Sequence, residues 1–213
     1  MKTIKNRFVI VALVIICLST AAQARTNWEV INGGDSFALN SLLTSGNKYC
    51  PTADSPMTDA EIDDAIRVHN ETRQAVGLEP LKWNCALADF AQKWANKDTG
   101  EHSLVKDRQN IIQGSEAGEN LSQDSETTVT VPKLIQGWID EKQFLQSDRK
   151  TCTANPGNIP CGHYTQMVWR ATTEVGCGII RKSNTMGADF KGKASYLVCI
   201  YNPGGNTDGV AAY

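Results

Sequence analysis

The sequence predicts an α+β domain in which helices pack on a mostly antiparallel sheet. Apolar residues recur at helical spacing through most of the chain after residue 57, and the period changes to strand-like alternation near Val175. Helices that precede a group of strands are typical of this fold class. A length of 213 residues fits one such domain with an extension.

The first 24 residues form a secretory leader by their pattern. Lys2, Lys5 and Arg7 precede an apolar run over residues 8–18, and the small residues around Ala24 mark the cleavage point. The run is too short for a stable transmembrane anchor. Bulky Ile16 before Cys17 argues against lipid attachment there. We therefore expect residues 1–24 to be a signal peptide and the mature chain to be a released, extracellular monomer.

Residues 25–56 lack a sustained period and are rich in turn-forming residues, so they are interpreted as an N-terminal arm that is tied down through Cys50. The folded domain is expected to span residues 57–213. Thr58 and Glu61 form a capping box for a helix over residues 59–76, which Gly77 ends.

Three further helices are predicted. Asn84 is the expected N-cap of the second, and Pro132 lies in the first turn of the third. A short fourth helix is expected after Gly162, through Arg170. The apolar faces of the second and third carry these residues: Leu87, Phe90, Ala91 and Trp94; Leu134, Ile135, Trp138 and Ile139.

Two strands follow. Residues 175–179 alternate, and the segment YLVCIY at residues 196–201 is a continuous apolar run with β-branched and aromatic members. The polar, glycine-rich segment between them favours a hairpin with a long loop.

Removal of the leader takes away Cys17 and leaves six cysteines in an oxidising compartment, which predicts three disulfides. About fifteen pairings are allowed, but chain position favours one. Cys152 and Cys161 flank one loop, and Cys177 and Cys199 lie on the two candidate strands, which leaves Cys50 and Cys85 for each other. Cysteine metal ligation is disfavoured because the chain has no C-x-x-C pair.

The charge of the mature chain argues against a polyanion as the main partner. The leader carries three basic residues and no acidic one, so 21 basic residues fall to 18 against 23 acidic, a net charge of −5. No block of lysine and arginine overrides this balance, and we expect no nucleic-acid partner.

Histidine is the residue type to follow, because it is the commonest metal ligand and titrates near neutrality. His69 lies on the apolar face of the first helix and is interpreted as a hydrogen-bonded core residue. His102 and His163 lie where elements end, so they can face a shared cleft. Glu119, in a glycine-containing loop, and Glu141, beside an apolar stripe, are the matching carboxylates; taken singly, each is expected to be solvated.

The standard hydrolase motifs are absent. The chain contains no G-x-S-x-G and no H-E-x-x-H. The segment GGDS at residues 33–36 hints at an esterase block, but no histidine has an aspartate three residues before it, so GGDS is interpreted as a turn.

The segment GHYTQMVWRAT at residues 162–172 resembles the first signature of the CAP superfamily, which contains cysteine-rich secretory proteins, antigen 5 and pathogenesis-related class-one proteins (the SCP domain). The resemblance extends, in the family's order, to VHNETR, PLKWN, the HS at His102, GENL and the W-x-x-E that ends at Glu141. It spans about residue 57 to the end of the chain.

This resemblance implies an α-β-α sandwich with a central cleft whose tetrad falls on His102, Glu119, Glu141 and His163. It implies that His102 and His163 are ligands for Zn²⁺ or another divalent cation and that the two glutamates orient them or a bound water. It also supports the pairs Cys152–Cys161 and Cys177–Cys199. His69 is not part of the tetrad.

Two segments depart from the family pattern. Ile200 and Thr207 replace a usually polar and a usually apolar or acidic residue in the second signature. The tail over residues 203–213 is similar to a peptide that some plant members release, but it lacks the proline before Tyr213.

Two functions are weighed. The resemblance implies a non-enzymatic module that binds sterol, another lipid or an extracellular protein. The alternative is a metal-dependent, peptidase-like hydrolase that uses the tetrad, in which a glutamate would take a proton from a zinc-bound water. Binding is favoured, because two histidines are fewer than the three protein ligands of most catalytic zinc sites.

Overall fold

The computed structural model describes residues 47–51, 56–153, 161–183 and 194–213. The predicted signal peptide, most of the predicted arm and the GGDS turn lie outside this part. Within it, no helix is both long and apolar enough to cross a membrane. The helices are α1 (Asp59–Gln74), α2 (Cys85–Ala95), α3 (Val105–Arg108), α4 (Val131–Asp140) and α5 (Gly162–Met167), with a 3-10 turn at Glu141–Phe144. The strands are β1 (Lys82–Trp83), β2 (Gly118–Asp124), β3 (Glu174–Ser183) and β4 (Ala194–Asn202).

The helix starts follow the predicted caps. The Thr58 hydroxyl accepts a hydrogen bond from the backbone N–H of Glu61 at 3.2 Å, and the Glu61 carboxylate accepts one from the backbone N–H of Thr58 at 2.9 Å, which completes the capping box of α1. Asn84 caps α2, and Thr130 caps α4, whose first turn contains Pro132. Local sequence therefore determines where these three helices begin.

The four strands form one mixed sheet in the order β1-β3-β4-β2. The β3–β4 and β4–β2 pairs are antiparallel, and only the two-residue β1 pairs in parallel, with β3. The prediction of a mostly antiparallel sheet is confirmed.

The continuous apolar run in β4 has a direct structural reason. Leu197, Cys199 and Tyr201 belong to the core formed with α1 and α4, whereas Tyr196, Val198 and Ile200 belong to the core formed with α2. All six are fully buried, because β4 has helices on both of its faces. The α-β-α sandwich is thereby confirmed.

Helix α2 lies unusually close to β3. A Cβ atom added to Gly176 would lie 2.3 Å from the backbone N of Ala88, and one added to Gly178 would lie 2.3 Å from the backbone N of Gln92. The Gln92 amide in turn bonds both backbone groups of Ile179, at 2.9 and 3.0 Å. Glycine is needed at both positions because the helix backbone occupies the space of a side chain.

All three predicted disulfides are present: Cys50–Cys85, Cys152–Cys161 and Cys177–Cys199. Cys177 and Cys199 are directly opposite each other on β3 and β4 and are fully buried. The other two pairs each combine a buried cysteine with an exposed one. They tie α2 and α5 to segments that precede these helices.

Three predictions about local structure are wrong in detail. Glu119 lies in β2, which pairs with β4 along its whole length, and not in a loop. Helix α5 ends at Met167, before Arg170, and α1 ends two residues earlier than expected. A short helix α3 and the strand β1 were not predicted.

Candidate functional site

The first predicted pair of site residues is His102 with Glu119. His102 lies in the loop after α2, and its Nδ1 is 2.8 Å from Oε1 of Glu119, the second residue of β2. Ser103 also donates to this carboxylate, through its backbone N–H at 2.8 Å and its hydroxyl at 2.7 Å. The Glu119 side chain is 1% exposed, whereas that of His102 is 57% exposed.

Arg108 completes the surroundings of Glu119. Its guanidinium lies 3.5 Å from the carboxylate and also bonds the Ser103 hydroxyl at 2.8 Å and the carbonyl of Ala117 at 3.0 Å. The expectation that Glu119 is solvated is therefore wrong, because donors from the loop and from α3 replace its water.

The second pair is His163 with Glu141. Glu141 follows α4 directly, and its Oε1 lies 2.5 Å from Nδ1 of His163. Its Oε2 accepts the backbone N–H groups of His163 at 2.8 Å and of Tyr164 at 3.2 Å. These are first-turn N–H groups of α5, and the N-cap residue Cys161 offers no side-chain cap. Glu141 therefore caps α5 from a distance and is buried, which corrects the expectation of a solvated side chain.

Both pairs impose the same tautomer on their histidines. A carboxylate can only accept, so each Nδ1 carries a proton, and in the neutral form of each ring the Nε2 keeps its lone pair. Within the part of the chain that the structure describes, neither Nε2 has a hydrogen-bond partner. Each glutamate thus orients an imidazole whose outer nitrogen is left for a ligand.

The structure arranges the four residues of the predicted tetrad as two separate His–Glu pairs. His102 and Glu119 line a half-open cleft of about 400 Å³, but His163 and Glu141 are not among its lining residues. The remaining lining is mostly polar or glycine: Arg108, Glu116, Ala117, Gly118, Gln166, Gly204, Gly205, Asn206 and Thr207. No group of three or more His, Cys, Asp or Glu side chains in the described residues forms a metal site.

The two pairs lie on neighbouring elements. The side-chain amide of Asn120, which follows Glu119 in β2, donates to the backbone carbonyl of His163 at 3.0 Å. A meeting of all four side chains around one ion stays a prediction.

His69 is a core residue, as predicted, and is fully buried. Its Nε2 bonds the hydroxyl of Tyr201 at 2.8 Å, and its Nδ1 bonds the carbonyl of Ala65 at 2.7 Å. Burial lowers the pKa of His69 from 6.5 to about 4. It is therefore neutral at neutral pH.

Ser103, His102 and Glu119 do not form a hydrolytic triad. The Ser103 hydroxyl donates to the carboxylate, whereas a serine nucleophile needs a bond to the histidine nitrogen opposite the carboxylate. This geometry agrees with the absence of the serine-hydrolase motif.

The sequence did not indicate a role for Ser103, Arg108 or Asn120. Ser103 and Asn120 lie inside the HS and GENL motifs, whereas no motif contains Arg108.

Fold and site together define a disulfide-bonded α-β-α sandwich domain with two buried carboxylates that each orient a histidine. The chain belongs to the CAP superfamily: residues 66–201 match the model of the cysteine-rich secretory protein family.

Plant pathogenesis-related proteins are among its relatives. Pathogenesis-related protein 1B of Nicotiana tabacum is 36% identical over 151 residues, which cover 70% of this chain and 79% of the tobacco protein. Pathogenesis-related protein PR-1 of Medicago truncatula is 34% identical over 187 residues, 84% of this chain and 96% of the relative. The chain is thus a CAP protein of the pathogenesis-related type.

Solved structures support the same fold. Na-ASP-1 matches with a TM-score of 0.65 and 28% identity over 79% of this chain, which spans only 44% of that protein. NaASP2, whose crystal structure was determined with Zn²⁺, matches with a TM-score of 0.59 and 21% identity over 77% of this chain and 89% of that one. The second likeness supports the fold alone.

Proposed function

We propose that the mature chain is a secreted, non-enzymatic binding module in which His102 and His163 hold a divalent cation. One observation carries this proposal: both glutamates are occupied in orienting the histidines. Glu119 receives three donors within 2.8 Å, and Glu141 receives three within 3.2 Å. A general base needs a lone pair directed at its water, and donors of the protein take most of the roughly four lone-pair directions of each carboxylate.

The donor set fits the ion that the family resemblance suggests. Neutral imidazole is a preferred ligand of Zn²⁺, and a carboxylate on the opposite ring nitrogen is the usual support for such a ligand. His102 and His163 each have this support. Two protein ligands leave coordination positions for water or for a group of the bound partner, which is the chemistry a bound ion would supply.

A polar partner is favoured over a sterol at the described cleft. Arg108, Glu116, Gln166 and Asn206 line it, and these groups would lose water against an apolar ring system without gaining hydrogen bonds. An extracellular protein or peptide offers matching polar groups. We therefore propose that this partner docks at the cleft beside His102.

The test uses the mature chain, produced with its disulfides formed. Zinc binding is measured by isothermal titration for the wild type and for His102→Ala, His163→Ala and His69→Gln. We expect one ion per chain, its loss in the first two variants and a stoichiometry of one ion in the third, whatever its affinity; His69→Gln is the control because His69, the remaining histidine, reaches His163 only through Tyr201 and Asn120. Equal zinc binding in all four proteins would refute the site.

Catalysis and lipid binding are tested on the same samples. Peptide hydrolysis that disappears with Glu119→Gln would establish the hydrolase alternative. Saturable sterol binding that is unchanged in both histidine variants would show that the ligand binds at another surface. We expect neither activity.

A further inference from the structure

The His163 ring is held against an aromatic wall. The indole of Trp138 stacks on it, with ring centroids 6.0 Å apart and an interplanar angle of 21°. Trp138 is itself fixed, because it is 3% exposed and its Nε1 donates to the carbonyl of Leu121 at 2.9 Å. The wall is therefore in place before any ligand arrives.

The backbone of His163 is anchored by a buried polar chain. Asn120 donates to the His163 carbonyl at 3.0 Å and to the hydroxyl of Tyr201 at 3.1 Å. The carbonyl of Ala65 can only accept, so Nδ1 of His69 carries the proton, and the unprotonated Nε2 accepts from the Tyr201 hydroxyl. Asn120, Tyr201 and His69 are all at most 1% exposed, so this chain links α1, β4 and β2 to α5 inside the protein.

His102 lacks comparable support. Its ring is more than half exposed and is held by the single bond to Glu119. In the described residues no aromatic ring stacks on it. The two histidines therefore differ in freedom, although both glutamate partners have side chains that are less than a tenth exposed.

We infer that Trp138 and Asn120 are positioning residues that fix His163 for ion binding, and that His102 is the ligand that adjusts when the ion binds. The inference rests on the proposed function and deepens it by giving the two ligands different roles. Its physical basis is preorganisation: a ligand that is already ordered loses less conformational freedom on binding. Residues that orient a ligand typically change metal affinity about 10- to 100-fold when they are removed.

The first test needs no metal. Long-range ¹H–¹⁵N spectra of the mature protein resolve its three histidines. We expect ring-current shifts of the His163 carbon-bound protons that disappear in Trp138→Leu and fall partway in Trp138→Phe, with the Nδ1–H tautomer retained. Trp83→Leu, which removes a half-buried indole packed near Tyr49, is the control and should leave His163 unchanged. If His163 resonances do not move in Trp138→Phe, which preserves a ring for folding, the inference is overturned.

The second test measures zinc affinity. Trp138→Leu should weaken binding about threefold to tenfold, the range expected for loss of one aromatic pair. Trp138→Phe should remain within about twofold, and Asn120→Ala should weaken binding by about tenfold. If the wild type binds zinc and Trp138→Leu binds it equally well, the positioning role fails while the metal site stands. If the wild type binds no zinc, the proposed function fails and the spectra alone decide the ring placement.

Discussion

Arg73 provides the sharpest test of how this domain is held together. It is 1% exposed, yet its guanidinium donates to four backbone carbonyls: Glu79 at 2.7 Å, Met167 at 3.0 Å, Trp169 at 2.9 Å and Thr172 at 3.0 Å. Arg73→Met keeps an unbranched apolar stem but removes every donor. The carbonyl of Trp169 keeps a bond from the backbone N–H of Thr172 at 3.1 Å, so three carbonyls lose the donor that Arg73 supplies, and each one left without a partner costs about 1 to 3 kcal/mol.

Part of this cost is offset. Burial lowers the pKa of Arg73 from 12.5 to about 10, which corresponds to a penalty of about 3 kcal/mol that the uncharged variant avoids. Three unpaired carbonyls at about 2 kcal/mol each, less this penalty, give a net destabilisation of about 3 kcal/mol. For a domain of this size, the melting temperature should fall by about 6 to 12 °C.

Urea unfolding followed by far-UV circular dichroism, with the disulfides intact, measures the change. Arg67→Met is the matched control: it lies on the same helix, pairs with Asp64 and Glu71 at the surface, and should change stability by less than about 1 kcal/mol. Equal stability of the two variants would refute the claim that the carbonyl cluster depends on Arg73.

Three further predictions concern packing, acid and reduction. Gly178→Ala should destabilise the domain by about 3 kcal/mol, because its Cβ would meet the backbone of α2. Gly137→Ala is the control: its Cβ would have nothing within 4 Å, so this variant should be neutral or stabilising. If urea unfolding ranks the two variants the other way, the close approach of α2 to β3 is contradicted. The pKa of His69 is about 4 in the folded protein, against 6.5 unperturbed, so the unfolded chain takes up the proton first as the pH falls. The free energy of unfolding should therefore fall by about 3 kcal/mol between pH 6.5 and 4. An equally steep decline in His69→Gln would rule out His69 as the origin. Under native conditions a small thiol should reduce Cys152–Cys161, which has an exposed cysteine, before the buried Cys177–Cys199; mass spectrometry after alkylation gives the order, and reduction of the buried pair first would show that opening, not exposure, controls access.

The sequence predicted the elements whose signals are local. Helices α1, α2 and α4 carry their own caps and an apolar stripe, and β4 was recognised because burial on both faces leaves a continuous apolar run. Strand β2 was missed because GENLSQD contains no β-branched residue. Its strand structure comes from pairing with β4, more than seventy positions later in the chain.

The site was predicted in its members but not in its environment. The motifs identify His102, Glu119, Glu141 and His163. The structure shows two contacts among them, His102 with Glu119 and His163 with Glu141. The burial of the carboxylates could not be inferred, because the donors that replace their water are contributed largely by other segments, such as Arg108 for Glu119 and the first turn of α5 for Glu141. A carboxylate without such donors would stay in water.

The double use of Glu141 affects how mutants of this family member should be interpreted. One oxygen holds the ring of His163, and the other closes the start of α5, the helix that begins directly after Cys161. A substitution at Glu141 would release the helix and the imidazole together. A loss of function in such a mutant would therefore not show that Glu141 has a catalytic role. Unfolding of the first turn of α5 would give the same phenotype.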